Sequence, residues 1–459
     1  MTNSDPRPIL SDIGAALNLA PDIADRVSLA EGDCLPSCFP VSDLAVASIG
    51  AACAAMAELR ADGTKPPAVT VNYRLASLWF GWSIRPLGWD MPAAWDAIAG
   101  DYRAKDGWIK LHTNAPHHRA AVLKVLGCQG EREVVADAVS SWLSNDLEAS
   151  IISVGGCAAK LRSCQEWDCH PQGKAVAAEP LILWDYEVPI AQSDWRPTPG
   201  RPLAGLKVLD LTRVLAGPVA TRFLAGYGAN VLRIDPLIWD EPGVIPEVTL
   251  GKRCARLDLQ AASDRATFTQ LLAEADVLVH GYRVDALDGL GFGAEARQSI
   301  RPGLIDVSLN AYGHSGSWAK RRGFDSLVQF SSGIAADGMT WRESDKPVSL
   351  PVQALDHATG YLLAAAVIRA LIARREGQGA IVAKLSLART AKLLIDHQSQ
   401  PTGEVFPPAC DADFSQHVEQ TDWGPAQRFL PPAESAGMPM SWERSASKLG
   451  SSPPEWGIR

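Results

Sequence analysis

The stretch LKVLDLTRVLAGPVATRFLAGYGANVLRID, residues Leu206–Asp235, decides how this chain folds. It opens with LKVLDL and closes with ANVLRID, two short apolar runs typical of buried strands. Between them, Pro218 stands in the first turn of a predicted helix, and Gly226 or Gly228 ends it, the positions where Pro and Gly favour a helix start and stop. A strand, a helix and a second strand of this length predict a βαβ unit.

Further units of the same kind follow along the chain. DRATFTQLLAEA predicts a helix, and DVLVHG and GLIDVSL predict strands. We therefore predict an α/β fold, a doubly wound Rossmann-like parallel sheet domain joined to a smaller α+β domain. In such a sheet the ligand binds beyond the carboxyl ends of the strands, here Leu211–Gly217, Asp235–Pro236, His280–Arg283 and Leu309–Gly316.

Changes in pattern divide the chain into five segments. We predict a leader and partial repeat over 1–84, a small domain over 85–195, and a Pro-rich linker over 196–201. The large domain then covers 202–400, and a Pro-rich segment covers 401–459.

An acid before an Ala-rich helix occurs twice. Asp43 and Asp356 each precede such a helix, followed by a Gly-containing turn, a strand and a short helix. We interpret this as an internal repeat of one supersecondary unit, with chance similarity of two Ala-rich helices as the alternative. Taken alone, either acid can be a helix cap.

Composition excludes several classes of protein. The chain has 459 residues, a formal net charge of −9 and no basic run, which argues against a nucleic-acid partner. The N-terminus lacks a signal-peptide pattern, and Ala358–Ala373 is short for a membrane span, so we expect a cytoplasmic protein without a membrane partner. No metal is expected, because a loose group fits no standard zinc spacing: Cys157, Cys164, Cys169 and His170.

Five motifs, read in order, carry a resemblance to a known family. They are PLAGLKVLDLTRVLAGPVATRFLAGYGANVLRID, GKRCARLDL, ADVLVHGYR, AYGHSGSWAKRRGFDSLVQ and ALDHATGYLLAAAVIRAL. Together, over about residues 202–392, they resemble the family III (CaiB/BaiF-type) CoA-transferases, which include formyl-CoA and carnitine CoA-transferases and α-methylacyl-CoA racemase. Tyr102–Ala177 looks like the small domain of that family.

The resemblance implies a covalent mechanism. Asp356, at the start of a long helix after the GFD motif, matches the catalytic carboxylate of the family. It would attack an acyl-CoA thioester to form a mixed anhydride, then carry CoA as an aspartyl thioester until an acceptor carboxylate takes it. A helix N-terminus suits an ionised nucleophile, and backbone N–H groups of the VLAG loop would stabilise the oxyanion.

The resemblance also implies binding residues and partners. CoA or acyl-CoA is expected as a substrate, with no permanently bound cofactor, a small carboxylic acid as the second substrate and a homodimer as the assembly. From the residues alone, a pair such as Lys252-Arg253 is more often a solvated surface than a phosphate contact. The positions matched to CoA contacts, or placed on the ligand side of the sheet, are Val214, Leu215, Ala216, Lys252, Arg253, Tyr282 and Arg283, with Phe324 beside the acyl site.

Several positions depart from the family pattern. Phe324 stands where racemase members carry His, so racemisation is not expected. Gly281 replaces a usual Asn, and Gly289 and Pro236 replace usual basic residues. Small-domain-like sequence precedes the α/β segment, which predicts a permuted or rearranged domain order.

Two other functions remain open. The departures leave the alternative of a non-catalytic relative that binds CoA esters or a protein partner. A dinucleotide oxidoreductase is less favoured, because the first βα turn lacks the G-x-G-x-x-G pattern although Asp235 stands where such a site needs an acid.

Overall fold

A computed structural model describes residues 5–30, 32–61, 63–186, 195–282, 285–377, 381–398 and 405–457. The N-terminal region, as far as it is described, contains four helices and two parallel strands. The region is not a loose leader, since Ile9, Leu10 and Ile13 are buried. Its elements are α1 (Arg7–Ala16), α2 (Ile23–Arg26), β1 (Val27–Ala30), α3 (Val41–Ala61), β2 (Val69–Asn72) and α4 (Tyr73–Trp79).

The next part contains a small antiparallel sheet of three strands, in the order β4-β5-β6, with helices packed against it. Its core includes Ile109 and Val122, both fully buried. Its elements are β3 (Ile84–Pro86), β4 (Gly100–Ala104), β5 (Gly107–Leu111), α5 (Pro116–Leu126), α6 (Arg132–Ser140), α7 (Ser144–Ser153), β6 (Ala158–Lys160), α8 (Cys164–Cys169) and α9 (Pro171–Ala178).

A seven-stranded sheet follows, and it confirms the predicted fold class. Its elements are β7 (Leu183–Tyr186), β8 (Lys207–Leu211), α10 (Ala216–Gly226), β9 (Asn230–Asp235), α11 (Ile245–Val248), β10 (Lys252–Arg256), α12 (Ala262–Glu274), β11 (Val277–His280), α13 (Ala286–Gly289), α14 (Ala294–Ile300), β12 (Ile305–Asn310), α15 (Asp325–Ser331), α16 (Ile334–Trp341), α17 (Ala354–Arg375), β13 (Ile381–Ser386) and α18 (Leu387–Asp396).

The strand order is β10-β9-β8-β11-β12-β13-β7, parallel except for the edge strand β7. The chain winds outward from β8 in one direction and then from β11 in the other, so the switch point lies between β8 and β11. Ligands of open α/β sheets bind at this point, beyond the carboxyl ends of the strands. Strand β7 lies in the range predicted for the small domain, yet it pairs with β13 of the large sheet.

The C-terminal residues fold back onto the N-terminal region. A 3₁₀ turn (Asp411–Asp413) leads into β14 (Phe414–Thr421), β15 (Gly424–Phe429) and β16 (Ala433–Ser435). β15 pairs with β3, and β16 pairs with β2. The Pro-rich sequence therefore completes two small sheets, because the edge strands of the N-terminal region leave backbone groups that need partners.

Both copies of the predicted repeat fold as helix, strand and helix. Asp43 and Asp356 are each the third residue of their long helix, and α3 packs along α17. Asn72 and Ser386 cap the short helices that follow, by accepting hydrogen bonds from the backbone N–H of Leu75 and of Arg389.

The two long helices α3 and α17 are apolar enough and long enough to cross a bilayer by composition. However, 89% and 94% of their most apolar windows are buried inside the protein. Such burial is typical of core helices, which pass the same composition test.

A glycine allows α17 to approach α10. A Cβ on Gly360 would lie 2.5 Å from the carbonyl oxygen of Ala216 and 2.7 Å from Cβ of Val219. We expect Gly360→Ala to lower the free energy of unfolding by about 1–3 kcal/mol, because the helices must move apart. Urea unfolding measures this.

The matched control is Gly289→Ala, in another helix and with nothing within 4 Å of the added Cβ. It should be neutral or slightly stabilising, since Ala favours helix over Gly. Equal effects of the two substitutions would contradict the close packing.

Candidate active site

A cavity of about 370 Å³ opens at the switch point of the large sheet. Its wall includes residues that follow β8 and β11, the start of α17, and two histidines of α5. The predicted residues Val214, Ala216, Tyr282, Phe324 and Asp356 all line it. The βαβ pattern thus predicted the place of this cavity, and the tertiary structure added the small domain as one of its walls.

Three other predicted positions lie elsewhere. Leu215 is 4% exposed and packs under the loop rather than in the cavity wall. Lys252 is buried, with its Nζ 2.9 Å from both Oδ2 of Asp210 and the carbonyl oxygen of Pro218. Arg253 lies close to Gly457, and Arg283 falls outside the described residues.

The prediction that Lys252 and Arg253 meet CoA phosphates therefore needs correction. They are the first two residues of β10, at the amino end of a parallel strand, whereas the cavity lies at the carboxyl ends. Burial lowers the pKa of Lys252 to about 8, although Asp210 acts to raise it. Both cations belong to a strand of the sheet, and neither lines the cavity that would hold the ligand.

The loop after β8 is held in an uncommon conformation. Asp210 accepts hydrogen bonds from the backbone N–H and the hydroxyl of Thr212. Val214 has φ of +64°, a left-handed conformation rare for a β-branched residue. Its N–H donates to Oε2 of Glu241 at 3.0 Å. Strain of this kind persists where surrounding bonds fix it, and it is concentrated at functional sites.

Asp356 faces the N-terminus of α10 from the first turn of α17. It is 6% exposed, and its carboxylate accepts a hydrogen bond from the backbone N–H of Ala216. Its own N–H donates to Oδ2 of Asp325 at 2.9 Å. Two helix N-termini therefore surround this carboxyl group, and helix N-termini favour negative charge.

Burial raises the pKa of both carboxyl groups of this pair. Burial, followed by repulsion from Asp325, raises the pKa of Asp356 well above its usual value. Burial raises the pKa of Asp325 to about 6, although N–H groups of Asp356 and Leu355 and the amide of Gln329 oppose the shift. A carboxylate that is hard to ionise in a dry site is a more basic nucleophile once it is ionised.

Aromatic side chains close one wall of the cavity. Phe324 stacks on His112 with ring centroids 3.7 Å apart, and His118 lies edge-on to Phe324 at 5.8 Å. Burial lowers the pKa of both histidines to about 3, so they are neutral at pH 7. The wall beside Asp356 is therefore aromatic and uncharged.

The cavity also has basic residues that sequence reasoning missed. Arg213 donates from Nη2 to the hydroxyl of Tyr282 at 3.0 Å and lies 4.5 Å over the ring of Trp239. Lys320, Arg321 and Arg322 line the same cavity. The signal was present, since Arg213 precedes VLAG directly and KRR precedes GFD, but neither was singled out.

Comparison with known families supports this geometry. A family model described as CoA-transferase family III matches residues 203–409, which include the loop after β8, the GFD motif and Asp356. Residues 203–409 are therefore similar to CoA-transferase family III.

Several relatives of this chain are named as CoA-transferases. The acetyl-coenzyme A transferase nodX of Hypoxylon pulicicidum is 36% identical over 217 residues, covering 46% of this chain and 36% of that protein. The acetyl-CoA:oxalate CoA-transferase of Acetobacter aceti is 33% identical over 200 residues, 40% of this chain and 50% of the relative. The succinyl-CoA:glutarate CoA-transferase of Homo sapiens is 32% identical over 196 residues, which cover 40% of this chain and 44% of that protein.

The matches are partial in both directions. The chain spans about half the length, or less, of these curated relatives. The crystal structure of Rv3272 from M. tuberculosis is 29% identical to the matched part of this chain, with a TM-score of 0.39, covering 43% of this chain and 58% of that chain. The permuted domain order stays a prediction.

Proposed function

We propose that this protein transfers CoA between carboxylic acids with Asp356 as the covalent carrier. One observation carries the proposal. The carboxyl group of Asp356 lies in a cavity at the switch point, next to the N–H of Ala216 and walled by neutral aromatic rings. This arrangement suits a nucleophile that must react with a thioester and not with water.

The first half of the reaction loads the enzyme. An Asp356 oxygen attacks the thioester carbonyl carbon, the C–S bond breaks, and the CoA thiolate leaves a mixed anhydride. The thiolate then attacks Cγ of Asp356 and releases the first carboxylate. The result is an aspartyl-CoA thioester, with no net gain or loss of protons.

The second half reverses these steps with a new acid. The acceptor carboxylate attacks Cγ of Asp356, releases the thiolate and forms a second anhydride. The thiolate attacks the acyl carbon of the acceptor and restores the Asp356 carboxylate. At each tetrahedral stage the N–H of Ala216 can donate to the developing oxyanion, the role of preorganised backbone donors in acyl transfer. Phe324 and His118 pack together in the cavity wall and exclude water from it, which protects the anhydrides from hydrolysis.

Covalent capture tests the function directly. Incubation with an acyl-CoA, followed by peptide mass spectrometry, should show CoA bound to Asp356, and hydroxylamine should convert it to a hydroxamate. Absence of any adduct, together with unchanged transfer in Asp356→Ala, would exclude the mechanism.

Cations at the cavity support CoA binding despite the departures at Gly281 and Pro236. We expect the double substitution Lys320→Ala with Arg322→Ala to raise the Kd for CoA by about three- to tenfold, and to weaken its salt dependence, because two attractions to phosphate are lost. Calorimetric titration at two salt concentrations measures both effects.

The control is Lys105→Ala, an exposed lysine of the small domain outside this cavity. It should leave the Kd unchanged. If Lys105→Ala and the double substitution changed the Kd for CoA equally, the CoA phosphates would not bind at Lys320 and Arg322.

A further inference from the structure

A second cavity, of about 210 Å³, adjoins the cavity that contains Asp356. Val214, Trp239 and Phe324 line both cavities and form the wall between them. The second cavity therefore lies next to the one in which an acyl group bound at Asp356 would sit. A cavity of about 150 Å³ already holds benzene in other proteins, so this volume accepts a six-carbon chain or a phenyl group.

Two parts of the chain meet to form this second cavity. Ala93 and Ala94 lie between β3 and β4, and Gly243 belongs to the segment after β9. A Cβ on Gly243 would lie 2.5 Å from the carbonyl oxygen of Ala93 and 2.6 Å from Cα of Ala94. The absence of a side chain there lets the two segments touch, so the cavity is part of the packed fold.

The charged side chains that line this cavity are acidic. Of the residues that the structure describes, no Lys or Arg lines it, whereas Asp96, Asp240 and Glu241 do. Asp96 accepts from the hydroxyl of Thr113 at 2.6 Å and pairs with Arg119 at 3.3 Å. Glu241 accepts from the N–H of Val214 and pairs with Arg233 at 2.6 Å. A carboxylate entering here would find no cation in the described lining, because Arg119 and Arg233 lie outside it and are already paired with these acids.

Neutral aromatic side chains form another part of the lining of this cavity. His112 lies edge-to-face with Trp95 at 5.9 Å and stacks on Phe324. Burial lowers the pKa of His112 to about 3, with smaller contributions from His118 and Lys110, so its ring offers no charge to an acid at pH 7. Within the described part of the chain, Nδ1 of His112 and Nε1 of Trp239 are buried without hydrogen-bond partners, and each can meet a neutral polar group.

We infer that the second cavity selects monocarboxylic acids with an apolar or aromatic group and rejects dicarboxylic acids. This inference rests on the proposed function and names its substrate class. It contrasts with the relatives named for glutarate and oxalate.

Hexanoyl-CoA and adipyl-CoA test the inference, because they differ only in a terminal methyl or carboxylate group. We expect calorimetry to show binding of hexanoyl-CoA roughly tenfold or more tighter, and CoA exchange to favour hexanoate over adipate similarly. Ala94→Arg places a cation in the cavity and should reduce this ratio. Ala97→Arg, exposed and outside the cavity, is the matched control and should not change it.

The outcomes separate the two proposals. Equal or tighter binding of adipyl-CoA by the unmodified protein overturns the inference, and so does a ratio that Ala94→Arg and Ala97→Arg change equally. A strong preference for hexanoyl-CoA in binding, without transfer or adduct for either ester, contradicts the transferase function and supports the selective cavity.

Discussion

Asp356→Asn is expected to lower CoA transfer by at least about 10³-fold, the scale on which loss of a covalent nucleophile reduces kcat. The amide keeps the size of the side chain and can still accept from the N–H of Ala216, but it cannot form an anhydride. CoA exchange between an acyl-CoA and a free acid measures the loss, and mass spectrometry should show no adduct.

The same substitution should have the opposite effect on stability above neutral pH. Because the pKa of Asp356 is raised in the folded state, the folded protein holds its proton more tightly, and stability falls as pH rises from the unfolded pKa through the folded one. Asn removes this penalty, so the variant should match or exceed the parent in urea unfolding at alkaline pH. The gain should vanish under acidic conditions, where Asp356 is protonated in both states.

The repeat supplies the control for this experiment. Asp43 has the equivalent position in α3, is 3% exposed, and accepts from the hydroxyl of Tyr73 at 2.7 Å. Asp43→Asn should keep both adduct formation and transfer. Transfer retained above a tenth in Asp356→Asn, or lost equally in Asp43→Asn, would contradict the assignment of Asp356.

Glu247→Gln is expected to lower the free energy of unfolding by about 3–5 kcal/mol, the cost of breaking a buried ion pair from one side. Glu247 is fully buried between the guanidinium groups of Arg222 and Arg428 and accepts from the N–H and hydroxyl of Ser83. Removing its charge takes the carboxylate partner from buried Arg222, while Arg428 keeps its ion pair with Glu419 at 2.8 Å. Urea unfolding followed by fluorescence measures the change.

The pKa of Glu247 also determines how its contribution to the free energy of unfolding changes with pH. Burial acts to raise the pKa of Glu247, but Arg222 and Arg428 outweigh it, so its pKa is lowered. Its contribution is present above the unfolded pKa and is lost as pH falls through the folded one. The difference in the free energy of unfolding between the parent protein and Glu247→Gln should therefore become smaller at acidic pH.

Glu443→Gln is the control for the buried ion pair. Glu443 is exposed and lies 3.4 Å from Arg201, so its substitution should change stability by less than about 0.5 kcal/mol. Comparable losses from both substitutions would mean that the buried cluster does not hold the segments together.

The parallel sheet and its switch point could be predicted because they depend on local pattern. Apolar runs such as LKVLDL and the Pro218 helix start are read along the chain, and the order of βαβ units places the ligand edge. Asp356 followed from the resemblance together with its distance from GFD. Lys252 was misplaced, because its exposure depends on how β10 packs beside Asp210, which no local pattern encodes.

By itself, the sequence determined the α/β class, the repeat around Asp43 and Asp356, and the loop that meets the nucleophile. These depend on residues close in the chain, where hydrophobic periodicity and turn chemistry act directly. Only the tertiary structure decided which cations face the cavity, that neutral His118 and Phe324 line it together, and that the C-terminal strands complete two small sheets. Those facts depend on burial between segments far apart in sequence, because the dielectric surroundings and partners of a charge are set by packing.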